Sequence, residues 1–84
     1  MKNSIDTVVI ELQNKEKSVK SIAVDYKDLK VIDKAYNAVF SELTGDSLVV
    51  ELMKDAKPIV SIKLEPGKFA VSEIVDYLHD SLNK

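Results

Sequence analysis

The sequence repeats itself at an offset of 40 residues. Comparison of residues 7–25 with residues 47–65 gives six identical and six conservative pairs. The identical pairs are Val9/Val49, Glu11/Glu51, Leu12/Leu52, Lys17/Lys57, Ser21/Ser61 and Ile22/Ile62. Two amphipathic segments can share apolar spacing without common ancestry, but periodicity alone does not fix polar identities. The matched Glu and Ser pairs therefore favour an internal duplication, with repeat one over about 5–44 and repeat two over about 45–83.

Each repeat has the pattern strand, strand, helix. In residues 6–12, Val8, Ile10 and Leu12 alternate with more polar neighbours, which is typical of a half-buried strand. A polar loop over 14–18 joins this strand to a second one over 19–26, with Ile10 opposite Ile22. Residues 48–64 repeat the hairpin pattern, with a loop over 54–58. This loop contains Pro58, which has no backbone N–H and would remove a hydrogen-bond donor if it lay inside a sheet.

Two apolar stripes at helical spacing follow the hairpins. The first stripe consists of Leu29, Ile32, Tyr36, Val39, Phe40 and Leu43, and the second of Val71, Ile74, Val75, Leu78 and Leu82. We expect Asp28 to cap the first helix, and Gly45 to end it by adopting a left-handed conformation. A Pro66-Gly67 turn precedes the second helix, which is capped by Ser72 or by a residue near Lys68.

These elements predict an α+β fold in one domain over residues 1–84. An internally duplicated ββα-ββα chain forms a four-stranded antiparallel sheet, with two helices packed on one face. If a two-fold axis relates the repeats, the strand order is 2-1-3-4. The order 1-2-4-3 and a dimer that exchanges hairpins between chains are the alternatives.

Composition excludes several kinds of site. The formal net charge is −2 and every basic residue is lysine, so the chain has no strong attraction for polyanions and no bidentate guanidinium. With no cysteine there is no disulfide and no thiolate site. We find neither a signal-like N-terminus nor a run of about 18 apolar residues, and predict a cytoplasmic protein. Its composition is typical of small bacterial and phage proteins.

His79 is the single candidate for acid–base chemistry or metal binding. Glu73, Asp76 and Asp80 are its neighbours on the second predicted helix. One histidine without cysteine or a second element makes a poor metal site. Its counterpart in repeat one is Phe40, which indicates a position at the edge of the core. We therefore predict no enzyme, no metal, no cofactor and no small-molecule substrate.

The sheet face away from the predicted helices is the candidate binding surface. It carries more apolar side chains than a water-facing antiparallel sheet needs. The predicted partner-binding residues are Val9, Glu11, Val19, Ser21, Val49, Glu51, Met53, Ile59 and Ser61. We predict that they bind another protein or a second copy of the chain as a homodimer.

Nucleic-acid binding through lysine-rich hairpin loops is the alternative. Its residues are Lys15, Lys17, Lys20, Lys54 and Lys57, which the two-fold arrangement places at opposite ends of the sheet. The acidic total charge, the missing arginine and the few aromatic residues argue against it.

Overall fold

Four strands and two α-helices follow the predicted order in the computed structural model, which describes residues 5–65 and 70–82. The elements are β1 (Thr7–Asn14), β2 (Lys17–Asp25), a 3₁₀ helix (Tyr26–Val31), α1 (Ile32–Phe40), β3 (Ser47–Lys54), β4 (Lys57–Leu64) and α2 (Val71–Leu82). The strands form one antiparallel sheet in the order β2-β1-β3-β4. The α+β class and the first of the two predicted strand orders are confirmed.

The registers of the two hairpins are the same at an offset of 40 residues. Ile10 lies opposite Ile22 in the first hairpin, as predicted, and Val50 lies opposite Ile62 in the second. At the seam between the hairpins, Ile10 pairs with Val50. A residue thus meets its own counterpart at the middle of the sheet.

The hairpin turns are tighter than the predicted polar loops. Each contains two residues, Lys15-Glu16 and Asp55-Ala56, all four with positive φ between 52° and 67°. Two left-handed residues are the requirement of the type I′ turn, whose twist matches that of the strands. The extra residue of each hairpin forms a bulge on the outer strand, at Val19 of β2 and Ile59 of β4, where the register shifts.

A single core cluster joins the sheet to both helices. Alternate residues of the central strands are at most 3% exposed, and they are Val8, Ile10, Leu12, Leu48, Val50 and Leu52. The cluster also contains Ile5 and the helix residues Ile32, Phe40, Val71, Val75 and Leu78. We call the strand side formed by these alternate residues the even side. Because side chains of a strand point alternately to opposite faces, every second residue of β1 and β3 lies on the even side and is buried there.

The first helix differs from its predicted bounds at both ends. Asp28 is not its cap, because it lies inside the 3₁₀ helix with φ −100° and ψ 24°. The α-helix ends at Phe40, and Leu43 beyond it is 39% exposed. The 3₁₀ helix Tyr26–Val31 occupies the residues at which the sequence predicts the α-helix to begin.

Gly45 is needed for space, and the predicted left-handed conformation is wrong. No described glycine has a positive φ. A Cβ on Gly45 would lie 2.6 Å from the carbonyl oxygen of Gln13 and 2.6 Å from Cδ1 of Leu12. The segment between α1 and β3 passes directly against β1, and this contact tolerates no side chain.

Asp33 of α1 caps α2. Its Oδ1 accepts a hydrogen bond from the Ser72 amide at 3.0 Å, and its Oδ2 accepts one from the Ser72 hydroxyl at 2.6 Å. Asp33 does not belong to the apolar stripe of its helix, and the periodicity of the sequence does not predict this role. Ser72 is therefore not the cap of α2: its amide and hydroxyl donate to the capping carboxylate of Asp33. The predicted turn at Pro66-Gly67 and the alternative cap near Lys68 lie outside the described residues.

Replacing Asp33 with alanine is expected to lower the free energy of unfolding by about 0.5–2 kcal/mol, because the amide of Ser72 loses its acceptor. Urea denaturation monitored by circular dichroism measures the change. Asp28→Ala is the matched control, since the Asp28 side chain makes no hydrogen bond within the described residues. Equal losses in the two variants would contradict the capping role.

Candidate interaction face

The remaining strand residues form the second surface of the sheet, which we call the odd face. From β1 and β3 it takes Thr7, Val9, Glu11, Gln13, Ser47, Val49, Glu51 and Met53. Their register partners on β2 and β4 are Asp25, Ala23, Ser21, Ser18, Lys63, Ser61 and Pro58. Alternation along the strands sets these positions opposite the buried even side.

Two valines and two glutamates alternate at the centre of the odd face. Val9 lies opposite Glu51, and Glu11 lies opposite Val49 in the next odd row. All four side chains are partly buried. On the outer strands, Glu11 pairs with Ser21 and Glu51 pairs with Ser61. Apolar and acidic groups are thus interleaved across the middle two strands.

The two glutamates differ in their hydrogen bonds. Nε2 of Gln13 donates to Oε1 of Glu11 at 2.6 Å. The counterpart of Gln13 in the second half is Met53, which cannot donate. Within residues 5–65 and 70–82, no hydrogen bond or ion pair involves the Glu51 carboxylate. Glu51 therefore has unused acceptor capacity in the middle of the face.

The odd face is acidic. Its defining residues include the carboxylates of Glu11, Glu51 and Asp25, against the single ammonium of Lys63 on the edge strand β4. The lysines near the hairpin turns do not occupy register positions on this face. A charged partner of this face would therefore be cationic.

Seven of the nine predicted partner-binding residues occupy register positions on the odd face. Val19 and Ile59 do not, because each falls at a bulge and has no register partner. They are 40% and 41% exposed. The register therefore does not support their assignment to the odd face by strict alternation.

The five lysines of the nucleic-acid alternative are divided between the two ends of the sheet. Lys15, Lys17 and Lys20 lie near the first turn, whereas Lys54 and Lys57 flank the second turn at the other end, because β1 and β3 are antiparallel. Lys20 pairs with Leu12 and Lys54 with Lys57, so these positions belong to the even side. The structure does not gather the lysines into one patch.

Sequence reasoning missed two aspartates that hold the hairpin turns. Oδ2 of Asp46 accepts from the amide of Lys15 at 3.0 Å, and Oδ2 of Asp6 accepts from the amide of Asp55 at 2.9 Å. Each aspartate thus binds the turn of the other hairpin. The signal was present, since Asp6 and Asp46 are identical residues at the 40-residue offset.

These hydrogen bonds predict an acid-sensitive stability. The amide of Asp55 is the largest cause that lowers the pKa of Asp6 below its ordinary value of 3.8, and the amide of Lys15 does the same to the pKa of Asp46. A lowered folded-state pKa stabilises the fold above pH 3.8, and this stabilisation is lost as the pH falls through the folded-state value. We expect Asp6→Asn/Asp46→Asn to flatten the acid limb of a plot of unfolding free energy against pH, measured by urea denaturation. A variant with the wild-type acid limb would contradict this origin.

His79 packs against an aromatic ring. Its ring centroid lies 4.8 Å from that of Tyr26, with the planes at 31°. Burial, followed by the charges of Asp76 and Asp80, raises the pKa of Tyr26. In the part of the chain that the structure describes, no three His, Cys, Asp or Glu residues are grouped to hold a metal ion.

Two clefts lie beside Tyr26, with volumes of about 370 and 460 Å³. The larger one is lined by Ser72 and Asp76, and the Ser72 hydroxyl donates to Asp33. His79 is not among the lining residues of either cleft. These clefts therefore do not combine a nucleophile with a histidine base.

Comparison with protein-family models, curated proteins and solved structures gave no match. Neither α-helix in the described ranges has the length and apolar character required to cross a bilayer.

Proposed function

We propose that this chain is a non-catalytic interaction module that binds a protein surface through the odd face. The partly buried Val9, Val49 and Met53 on that face carry the proposal. They lie on the side of the sheet opposite the core, where the chain's own core residues do not cover them. In this proposal both helices cover the even side and act as the scaffold.

The proposal includes an internal duplication. Identical hairpin registers, turns and bulges at the 40-residue offset support it. The reciprocal hydrogen bonds of Asp6 and Asp46 are a further correspondence. A two-fold arrangement gives the odd face two similar halves, each with one Val and one Glu at its centre.

Packing of both helices on the even side is supported by the core cluster. Residues of α1 and α2 belong to the same cluster as the even residues of β1 and β3, and the cluster contains no residue of the odd face. A helix that buries its apolar stripe against one sheet face leaves the other face to solvent or to a partner.

The test combines affinity capture from an extract of the native host with sedimentation equilibrium of the purified chain at high micromolar concentration. We expect a stoichiometric partner, or a mass above the 9.4 kDa of one chain, and loss of the association in Val9→Ser/Val49→Ser. Val31→Ser is the control, because Val31 is 52% exposed in the 3₁₀ helix, away from the odd face. A monomer without a partner, or an association unchanged in the double variant, would contradict the proposal.

Binding of nucleic acid by the lysines near the turns has less support, because they lie at opposite ends of the sheet. A gel shift at low salt with duplex and single strands tests it directly. Salt-dependent retardation that is lost when Lys15, Lys17 and Lys20 are replaced by glutamine would favour this alternative over the odd face.

A further inference from the structure

Building on the proposed function, we propose that the partner of the odd face is an extended protein segment that presents lysine or arginine and aliphatic side chains in turn on one side, and that it is not a second copy of this chain. The inference depends on charge complementarity. The centre of the face interleaves Val9 and Val49 with Glu11 and Glu51. In an extended segment every second side chain points to the same side, so a segment whose alternate positions carry first a cationic and then an aliphatic residue matches the spacing of Val9 and Glu11 along β1.

A second copy is a poor occupant because it carries the same charges. Two sheets packed face to face lie about 10 Å apart. Two odd faces in that arrangement would bring four central glutamates together, with the Lys63 side chains at the edge strands as their compensation on these faces. Like charges placed together in a desolvated interface disfavour association.

A cationic partner supplies the hydrogen-bond donor that the Glu51 carboxylate lacks. The Glu51 carboxylate is partly buried and accepts no hydrogen bond from the described part of the chain, whereas Glu11 already accepts one from Gln13. An ammonium or guanidinium group donates strong, charge-assisted hydrogen bonds to a carboxylate. Glu51 is therefore the principal ionic contact, and the flanking valines provide the apolar contact.

The experiment titrates the ¹⁵N-labelled chain with a short synthetic lysine–valine peptide of the repeat Lys-Ser-Val-Ser, which in an extended conformation presents lysine and valine in turn on one side. One control peptide has glutamate in place of lysine, and the other has serine in place of valine. We expect chemical-shift changes centred on the amides of β1 and β3 with the lysine–valine peptide, and weaker or no binding with either control. Salt is expected to weaken this binding through screening.

Glutamine variants test which glutamate makes the ionic contact with the peptide. Glu51→Gln is expected to reduce the affinity for the lysine–valine peptide about tenfold, as for the loss of a hydrogen bond to a charged group. Glu11→Gln is expected to have a smaller effect. Glu16→Gln removes the same charge at a hairpin turn and is expected to bind like the wild type. Equal affinity for the lysine and glutamate peptides would overturn the charge requirement.

Sedimentation equilibrium separates this inference from the proposed function. We expect the wild type to be monomeric, and Glu11→Gln/Glu51→Gln to self-associate more strongly, because the repulsion between faces is removed. A wild-type dimer that Val9→Ser/Val49→Ser dissociates would overturn the cationic partner but support the odd face. Peptide shifts confined to the turns and insensitive to both double variants would overturn the odd face itself.

Discussion

Replacing Ile10 with alanine is expected to lower the free energy of unfolding by about 2–5 kcal/mol. Ile10 is fully buried and lies in the central row of the sheet, between Ile22 and Val50. Its truncation removes apolar contacts and leaves a cavity at a position where two strands and their neighbours meet. Chemical denaturation monitored by circular dichroism measures the change.

The control for this prediction is Ile59→Ala. The substitution removes the same atoms as at residue 10. Ile59, however, lies at a bulge, and its side chain is 41% exposed. We expect a loss of at most about 1 kcal/mol there, because much of the side chain is already in contact with water. Similar losses at residues 10 and 59 would contradict the core position of Ile10.

Replacing Gly45 with alanine is expected to destabilise the protein by about 1–3 kcal/mol, the range for inserting a methyl group into a close-packed site. The added Cβ would lie 2.6 Å from the Gln13 carbonyl oxygen, so the backbone has to move. At an unstrained position the same substitution stabilises a protein by about 0.4–1 kcal/mol, so the sign of the change is diagnostic.

The measurement for Gly45→Ala is the thermal midpoint, which falls by roughly 4–8 °C for each kcal/mol in a domain of this size. Thr44→Ala is the control, because Thr44 is the exposed neighbour in the same segment. A rise in the midpoint of Gly45→Ala would show that the segment does not press against β1.

Strand alternation allowed most of the sheet to be predicted. Once Ile10 is set opposite Ile22, a period of two determines every other pair of the hairpin until a bulge intervenes. The two-residue turns were missed because none of Lys15, Glu16, Asp55 and Ala56 is the Gly or Asn that usually marks a type I′ turn. The same bulges moved Val19 and Ile59 out of the predicted odd face.

Features that depend on distant contacts were beyond sequence reasoning. Asp33 occupies a polar position of its helix, and nothing local indicates that Ser72 lies above it. Gly45 carries a turn-like signal, but its role is set by Gln13 and Leu12 across the sheet. In the 3₁₀ helix, apolar residues also recur at spacings of three, so Leu29 extended the predicted α-helix too early.

The residues of the odd face could be predicted wherever the strand register could be predicted. Val9, Glu11, Val49 and Glu51 were assigned to one surface from alternation, and the strand order then made them neighbours. Glu11 accepts a hydrogen bond that Glu51 lacks because Gln13 is replaced by Met53 at the 40-residue offset.

The seam between β1 and β3 has a consequence for the order of folding. Each hairpin closes through a two-residue turn, an event that takes about 1–10 μs in isolation. Pairing of Ile10 with Val50 instead closes a loop through the intervening helices, at a larger entropic cost. The rate-limiting barrier is therefore expected at the joining of two preformed hairpins, so that destabilising mutations in the turns, whose contacts are already formed at this barrier, slow folding.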